Sequence, residues 1–350
     1  MLSRPEQKTF MSSQASKHDE VRIGILGSGW MGSVHAECYQ RIIGVKVVAV
    51  FSRSRERAET AAKLCSATAV TDASALLDDP SIDAIDVCVP SAIHEEFAVA
   101  ALQRGKHVFC ESPLALELTT AEAMLAAANA SGRLFMVGLL ERSIAQYEHV
   151  QRVAVAGQLG KILSVATYRL GSYLRSQESK RHYADPMLEL MTLDYDFIRW
   201  LIGTPASVCA ASVHMESGVL GEASAVLNWD SGSIATVIGS GIMPNGFPFS
   251  IGFRILFEKG AFELETVFEG SGPPRNTFRF YPETGTVETL AIEEHDPYEQ
   301  ELRYFVDAVR GQAAPGLLDA QHAYEALRLS FATLQSVKES RLIRLTANPS

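Results

Sequence analysis

Val21-Arg-Ile-Gly-Ile-Leu-Gly-Ser-Gly-Trp-Met-Gly32 decides the fold of this 350-residue chain. Its first half, Val21–Leu26, is a short apolar run that reads as a buried strand. Residues 34–43, just beyond it, carry apolar side chains at helical spacing. The turn between them holds Gly27, Gly29 and Gly32 as G-x-G-x-x-G in a strand–turn–helix setting. The first glycine permits a tight turn, the second lets backbone approach a pyrophosphate, and the third lets helix pack close to strand. The helix N-terminus then offers unpaired N–H groups to an anion. A dinucleotide site built on Gly27, Ser28, Gly29, Trp30, Met31 and Gly32 is therefore expected.

Outward from this turn, strands and helices alternate as far as residue 140. Apolar runs at 45–51, 68–70, 82–89, 106–110 and 134–137 are separated by helical stretches at 55–64, 73–77, 92–104 and 119–130. Strands apolar on both faces and alternating with helices imply a doubly wound parallel sheet. The end of the second strand bears on cofactor choice. A carboxylate there accepts the ribose 2′-hydroxyl of NAD, whereas arginine accommodates the 2′-phosphate of NADP. This chain has Ser52-Arg53-Ser54-Arg55, with no acid before Glu56 and a further arginine at Arg57. NADP is the expected cofactor, with NAD the alternative. Ligands in such sheets sit at the carboxyl ends of strands, where Val89, Pro90, His94, Glu111 and Pro113 fall. His94 reads as a shaper of the pocket, and His35, inside the first helix, as a packed or surface histidine.

Composition removes other classes. Hydrophobic residues make up 47% and charged residues 21%, as in an ordinary globular protein. A formal net charge of −10 argues against sequence-independent nucleic-acid binding. No stretch approaches the roughly 20 apolar residues of a membrane helix. The five cysteines are scattered without C-x-x-C spacing and read as reduced thiols, and no metal-ligand spacing appears, so no metal is expected. Residues 1–20 are polar, lack a signal-peptide core and read as a disordered leader, with Met11 as an alternative start. The expected location is the cytoplasm.

GILGSGWMGSVHA, CVPSAIHEEFAVAALQRGKHVFCESPLA, FMVG, GQLGKI and DYDFIRWLIG, in that order and spacing, resemble the Gfo/Idh/MocA family of NAD(P)-dependent oxidoreductases. The resemblance runs from Val21 to the last strand near 341–345. It implies a Rossmann domain over 21–141 and, over 142–350, an α+β domain with a large open, mostly antiparallel sheet. That sheet commonly makes oligomer contacts in the family, so a homo-oligomer (dimer or tetramer) is expected. The implied substrates are sugars, sugar nucleotides or cyclitols, oxidised or reduced at a carbinol carbon.

The family's catalytic signatures are where this chain departs. Glu-Lys-Pro falls on Glu111-Ser112-Pro113, so serine replaces the lysine. The Asp, His and Asp of the second signature fall on Glu189, Leu193 and Asp196. Leu193 has no transferable proton, and Ser112 can orient a carbonyl or relay a proton but is a poor base alone. Glu189 is the expected substitute, with His182 and Tyr183 in the preceding polar segment as further candidates. Arg169, Arg181 and Asp196 are the expected substrate-binding residues, and Glu141 and Arg142 are placed toward the cleft between domains.

The remaining chain reads as a helix at 147–155, then strands at 161–170, 207–213, 222–228, 233–239, 249–257, 262–268, 278–281 and 287–292. Helices at 298–309 and 320–337 follow, with a last strand at 342–345. Two functions fit this pattern. One is a working sugar-type oxidoreductase with relocated proton-transfer groups. The other is a non-catalytic dinucleotide-binding sensor or regulator, because the family fold also serves a transcriptional co-repressor.

Overall fold

The computed structural model describes residues 20–175, 187–270 and 272–345. Its first layer is built from β1 (Val21–Leu26), α1 (Trp30–Arg41), β2 (Val45–Phe51), α2 (Arg55–Leu64), β3 (Thr68–Val70), α3 (Ser74–Leu77) and β4 (Ala84–Val87). It continues with α4 (His94–Gln103), β5 (His107–Cys110), α5 (Leu118–Ser131) and β6 (Phe135–Val137). The strands form a parallel sheet in the order β3-β2-β1-β4-β5-β6. Helices cover both faces, so Ile23, Ile25, Ile85, Val108 and Phe109 are wholly buried. The order reverses between β1 and β4, which opens a crevice at their carboxyl ends.

The second sheet follows α6 (Ala145–Ala156). Its elements are β7 (Ile162–Leu170), a π-helical turn Met187–Met191, α7 (Thr192–Ile202), β8 (Ser207–His214), β9 (Leu220–Asn228), β10 (Ile234–Ser240) and β11 (Phe249–Phe257). Then come β12 (Gly260–Phe268), β13 (Arg275–Pro282), β14 (Glu288–Thr289), α8 (Pro297–Val309), α9 (Ala320–Glu339) and β15 (Ile343–Arg344). The order is β14-β13-β12-β11-β7-β10-β9-β8-β15. Neighbours are antiparallel except β7 and β10, which run parallel. One face is covered by helices, where Tyr147 of α6 and Phe197 of α7 meet Phe253 of β11. The opposite face carries Val226, Ile234, Ile238 and Leu256 in the open. The strand expected at 287–292 shrinks to the two residues of β14, an edge position where Val287 is exposed.

Helix α8 returns to the first sheet. Asp296 caps it by accepting from the backbone N–H of Tyr298 and Glu299. Arg41 of α1 grips Asp296 at 2.5 Å and Glu299 at 2.6 Å. The apolar stripe of α8 then lands on the first core, with Phe305 against Phe109 at 5.5 Å. Glu301 lies on that same stripe and is buried with it. Among the described residues, no helix is long and apolar enough to cross a membrane.

Candidate active site

The crevice at the ends of β1, β2, β4 and β5 is a cleft of about 1160 Å³. The glycine turn forms its floor. Gly27 has φ +126°, and a Cβ there would stand 2.4 Å from the Cys88 carbonyl oxygen. A Cβ on Gly32 would stand 2.3 Å from the Gly27 carbonyl oxygen. Around Gly29 there is open space, which a Cβ would enter from the cleft floor. Helix α1 has no side-chain cap and no acid in its first turn, so its free N–H groups face the cleft without competition. These features fit the pyrophosphate of a dinucleotide.

Gly27, Ser28, Gly29, Trp30, Met31, Ser52, Arg53, Arg57, Val89, Pro90, His94, Glu111 and Ser112 all line the cleft. Gly32 lies behind the turn and is buried. Trp30 is 69% exposed and meets the ring of Tyr298 edge-on at 6.0 Å. At the end of β2, Ser54 caps α2 through the Arg57 N–H. Arg55 pairs with Glu59, whereas Arg53 and Arg57 have no ion-pair partner among the described residues. After β2 the chain runs Ser52-Arg53-Ser54-Arg55, with its first carboxylate at Glu56.

His94 is fixed from both sides. Nε2 lies 2.9 Å from the Val89 carbonyl and Nδ1 lies 3.1 Å from the Pro113 carbonyl. Burial pushes its pKa down, so the ring is neutral and its single N–H donates to one of these two carbonyls. It therefore ties the loops after β4 and β5 together, which suits a wall of the cleft better than an acid–base role. The Ser112–Pro113 bond, in the loop after β5, is cis.

His35 is no surface residue. It is fully buried, with Nδ1 2.8 Å from Asp86 and 3.3 Å from the Cys88 sulfur, and Nε2 3.0 Å from Glu111. Burial opposes its positive charge, yet the Asp86 carboxylate beside it favours that charge and its pKa stands above the ordinary value. Two sets of possible metal-ligand atoms share this ring, His35 with Asp86 and Cys88, and His35 with Glu111 and Glu301. Periodicity alone pointed to none of this. The signals were an acid inside an otherwise apolar strand, Asp86, and an acid on the apolar face of a helix, Glu301.

The signature helix α7 faces inward along its whole length. Asp196 is fully buried and both its oxygens are held by Arg142, at 2.7 and 2.8 Å. Thr192 bonds Ser330, and Tyr195 bonds Thr333, on α9. Asp194 takes Arg169 at 2.8 Å, and Glu141 pairs with the same guanidinium. Arg169 and Asp196, expected to meet a substrate, are each enclosed by opposite charge in buried ion pairs. Glu141 and Arg142 belong to these pairs too. Leu193 is half-buried. Arg181, His182 and Tyr183 lie outside the described residues; Glu189 falls in the π-helical turn, and its side chain is likewise outside the described set.

Comparison with known proteins agrees with this architecture. Residues 21–139 match the model of the GFO/IDH/MocA oxidoreductase family, NAD-binding Rossmann fold, and residues 147–263 match the GFO/IDH/MocA C-terminal domain. A 4-carboxy-2-hydroxymuconate-6-semialdehyde dehydrogenase of Sphingobium sp. is 30% identical over 69% of this chain and 78% of its own length. Two Bacillus subtilis relatives are named for different cofactors. The scyllo-inositol 2-dehydrogenase (NAD(+)) is 25% identical over 93% of this chain and 96% of its own. The scyllo-inositol 2-dehydrogenase (NADP(+)) is 28% identical over 80% and 86%. Among solved structures, the UDP-N-acetylglucosamine 3-dehydrogenase of Acidithiobacillus ferrooxidans superposes with a TM-score of 0.78 at 22% identity, covering 91% of this chain and 98% of that one.

Proposed function

The chain belongs to the GFO/IDH/MocA oxidoreductase family, and from that premise we propose that it is an NADP(H)-preferring dehydrogenase or reductase. It transfers hydride at the carbinol or keto carbon of a sugar, sugar nucleotide or cyclitol. The observation that carries this reading is the cleft at the sheet's switch point, with Arg53 and Arg57, which have no ion-pair partner among the described residues, where a carboxylate would select NAD. Inositol dehydrogenases among its relatives support a polyol substrate.

When bound, the nicotinamide dinucleotide supplies the hydride acceptor or donor. Gly27 and Gly29 let the backbone close on its pyrophosphate, and the free N–H groups of α1 hold the negative charge. Arg53 and Arg57 pair with the 2′-phosphate, with Ser52 as a hydrogen-bond partner. His94 keeps the walls after β4 and β5 in register, and the Ser112 hydroxyl orients the substrate oxygen. Glu189, His182, Tyr183 and Arg181 are proposed for proton transfer and polar recognition. The outer face of the second sheet is proposed to join copies of the chain.

Titration of the purified protein with NADPH and NADH, followed by cofactor fluorescence, tests the reading. Tighter binding of NADPH, reduced about tenfold or more by Arg53→Ala, is expected from loss of a charge-assisted phosphate contact. Preference for NADH would overturn the cofactor choice. A panel of inositols, aldoses and nucleotide sugars with NADP⁺ then tests turnover. A second reading, a cofactor sensor without catalysis, is favoured by Ser112 and Leu193 in place of proton-carrying side chains. Tight NADPH binding with no turnover anywhere in the panel would support it.

A further inference from the structure

His35 of α1, Glu111 after β5 and Glu301 of α8 are far apart in the sequence and meet behind the cofactor cleft. Glu111 lines the cleft, whereas His35 is wholly buried and Glu301 is 1% exposed. The imidazole Nε2 and one carboxylate oxygen from each glutamate all lie within 4.8 Å of one another. Nε2 and Glu111 Oε1 stand 3.0 Å apart with no hydrogen bond between them, and Glu301 Oε2 has no hydrogen-bond partner. Neither glutamate forms an ion pair with lysine or arginine among the described residues. Buried polar atoms are nearly always satisfied, and buried charges are paired or coordinate metal ions.

We propose that His35, Glu111 and Glu301 form a binding site for one divalent first-row transition ion, of the Zn²⁺ or Mn²⁺ class. The donor set is one imidazole nitrogen and two carboxylate oxygens, which suits such ions. Two ligands about 2.1 Å from one ion and at about a right angle are about 3 Å apart, as the His35 and Glu111 atoms are. Two glutamate charges balance those of the ion, so the dry interior holds no excess from this group.

The other side of the imidazole supports the same assignment. Nδ1 lies 2.8 Å from a carboxylate oxygen of Asp86, which is itself buried on β4. A metal-ligating histidine almost always gives its other ring N–H to such a partner, which fixes the tautomer and turns the second nitrogen to the ion. An ion that takes the Nε2 lone pair displaces any proton held there. His35, Asp86 and Cys88 also stand at ligand spacing. Their atoms already bond one another, however, with Asp86 accepting from the Cys88 thiol at 3.3 Å and facing Nδ1. The unsatisfied atoms are those on the Nε2 side.

The Glu111 side chain is 17% exposed and marks the way in from the cleft. With three protein ligands, the remaining coordination positions go to water or to a ligand in the cleft. This site is a property of the folded chain and stands apart from the oxidoreductase reading.

Calorimetric titration of EDTA-stripped protein with ZnCl₂, MnCl₂ and MgCl₂ tests the proposal. One Zn²⁺ or Mn²⁺ per chain is expected, with weaker binding of Mg²⁺. Asp86→Asn changes only the group behind the ligand and should weaken binding about 10–100-fold, and Glu301→Gln should weaken it further. The Co²⁺-loaded protein should show visible ligand-field bands without the intense thiolate-to-cobalt band that Cys88 as a ligand would produce. Circular dichroism of each protein separates loss of a ligand from loss of fold. If Glu301→Gln does not fold, the Asp86→Asn titration and the cobalt spectrum of the unmodified protein still decide. No stoichiometric binding by the folded, unmodified protein would overturn the site. So would undiminished affinity in the folded variants, which places the ion on the surface, or a thiolate band. Turnover is not read, so failure of the oxidoreductase reading leaves these outcomes unchanged.

Discussion

Arg142 holds Asp196 through two hydrogen bonds, 2.7 Å from Nε and 2.8 Å from Nη2, with both side chains almost wholly sealed from water. The same guanidinium donates to the Leu317 carbonyl at 2.8 Å and lies 5.3 Å over the Trp200 ring. One side chain therefore ties the link before α6 to α7 and to the segment leading into α9. Asp196→Ala leaves a buried cation unpaired and should cost about 3–5 kcal/mol of unfolding free energy. Arg142→Met combined with Asp196→Leu, which removes both charges, should recover most of it. Urea denaturation of the three variants checks this, and equal losses in single and double variants would show that packing, not charge, is at stake.

Gly27 and Gly29 separate fold from ligand within one turn. Gly27→Ala forces a Cβ into the Cys88 carbonyl at a φ that side chains rarely adopt, so the protein itself should be destabilised. Gly29→Val meets no neighbouring atom within 4 Å of its new Cβ. Stability should stay within about 0.5 kcal/mol, as for an exposed substitution. NADPH affinity should nonetheless fall at least tenfold, because the side chain enters the space for pyrophosphate. Thermal denaturation paired with cofactor titration distinguishes the two. A Gly29→Val protein that binds NADPH normally would remove the pyrophosphate from this turn.

Much of the first sheet was legible because its strands are apolar on both faces and its glycines sit at fixed offsets. The order of the second sheet was not, since alternation identifies a strand but not its neighbour; β7 pairs with β10 and β11, which lie more than 60 residues away. Thr192 and Asp196 are four residues apart on α7, but spacing could not say that Thr192 meets α9. His35, Asp86, Glu111 and Glu301 come from four separate elements, and only the packing of α8 onto α1 brings the last of them in. Long-range charge pairing has no sequence period.

The open face of the second sheet presents Val226 on β9, Ile234 and Ile238 on β10 and, across β7, Leu256 on β11. Contiguous exposed apolar area of this kind marks an association surface. Ile238→Asp should shift the protein toward monomer in sedimentation experiments while leaving NADPH affinity within about twofold, since the cleft lies on the other sheet. A sedimentation profile identical to that of the unmodified protein would place the contact elsewhere.

His107, at the start of β5, accepts a hydrogen bond from the Leu134 backbone N–H at Nδ1, 3.1 Å away. That bond needs an unprotonated nitrogen. Burial, with the Arg133 charge next, lowers its pKa to about 4, against an ordinary value of about 6.5. The unfolded chain therefore binds the extra proton first as pH falls. Stability contributed by the neutral ring is complete above about pH 6.5 and drains away between there and about pH 4. His107→Gln lacks this titration, although the other buried histidines remain common to both proteins. Urea midpoints at pH 7.5 and pH 4.5 should show the unmodified protein ahead at the higher pH and the gap narrowing at the lower. A gap independent of pH would mean that His107 titrates alike in the folded and unfolded chains, so that the fold does not hold its ring neutral.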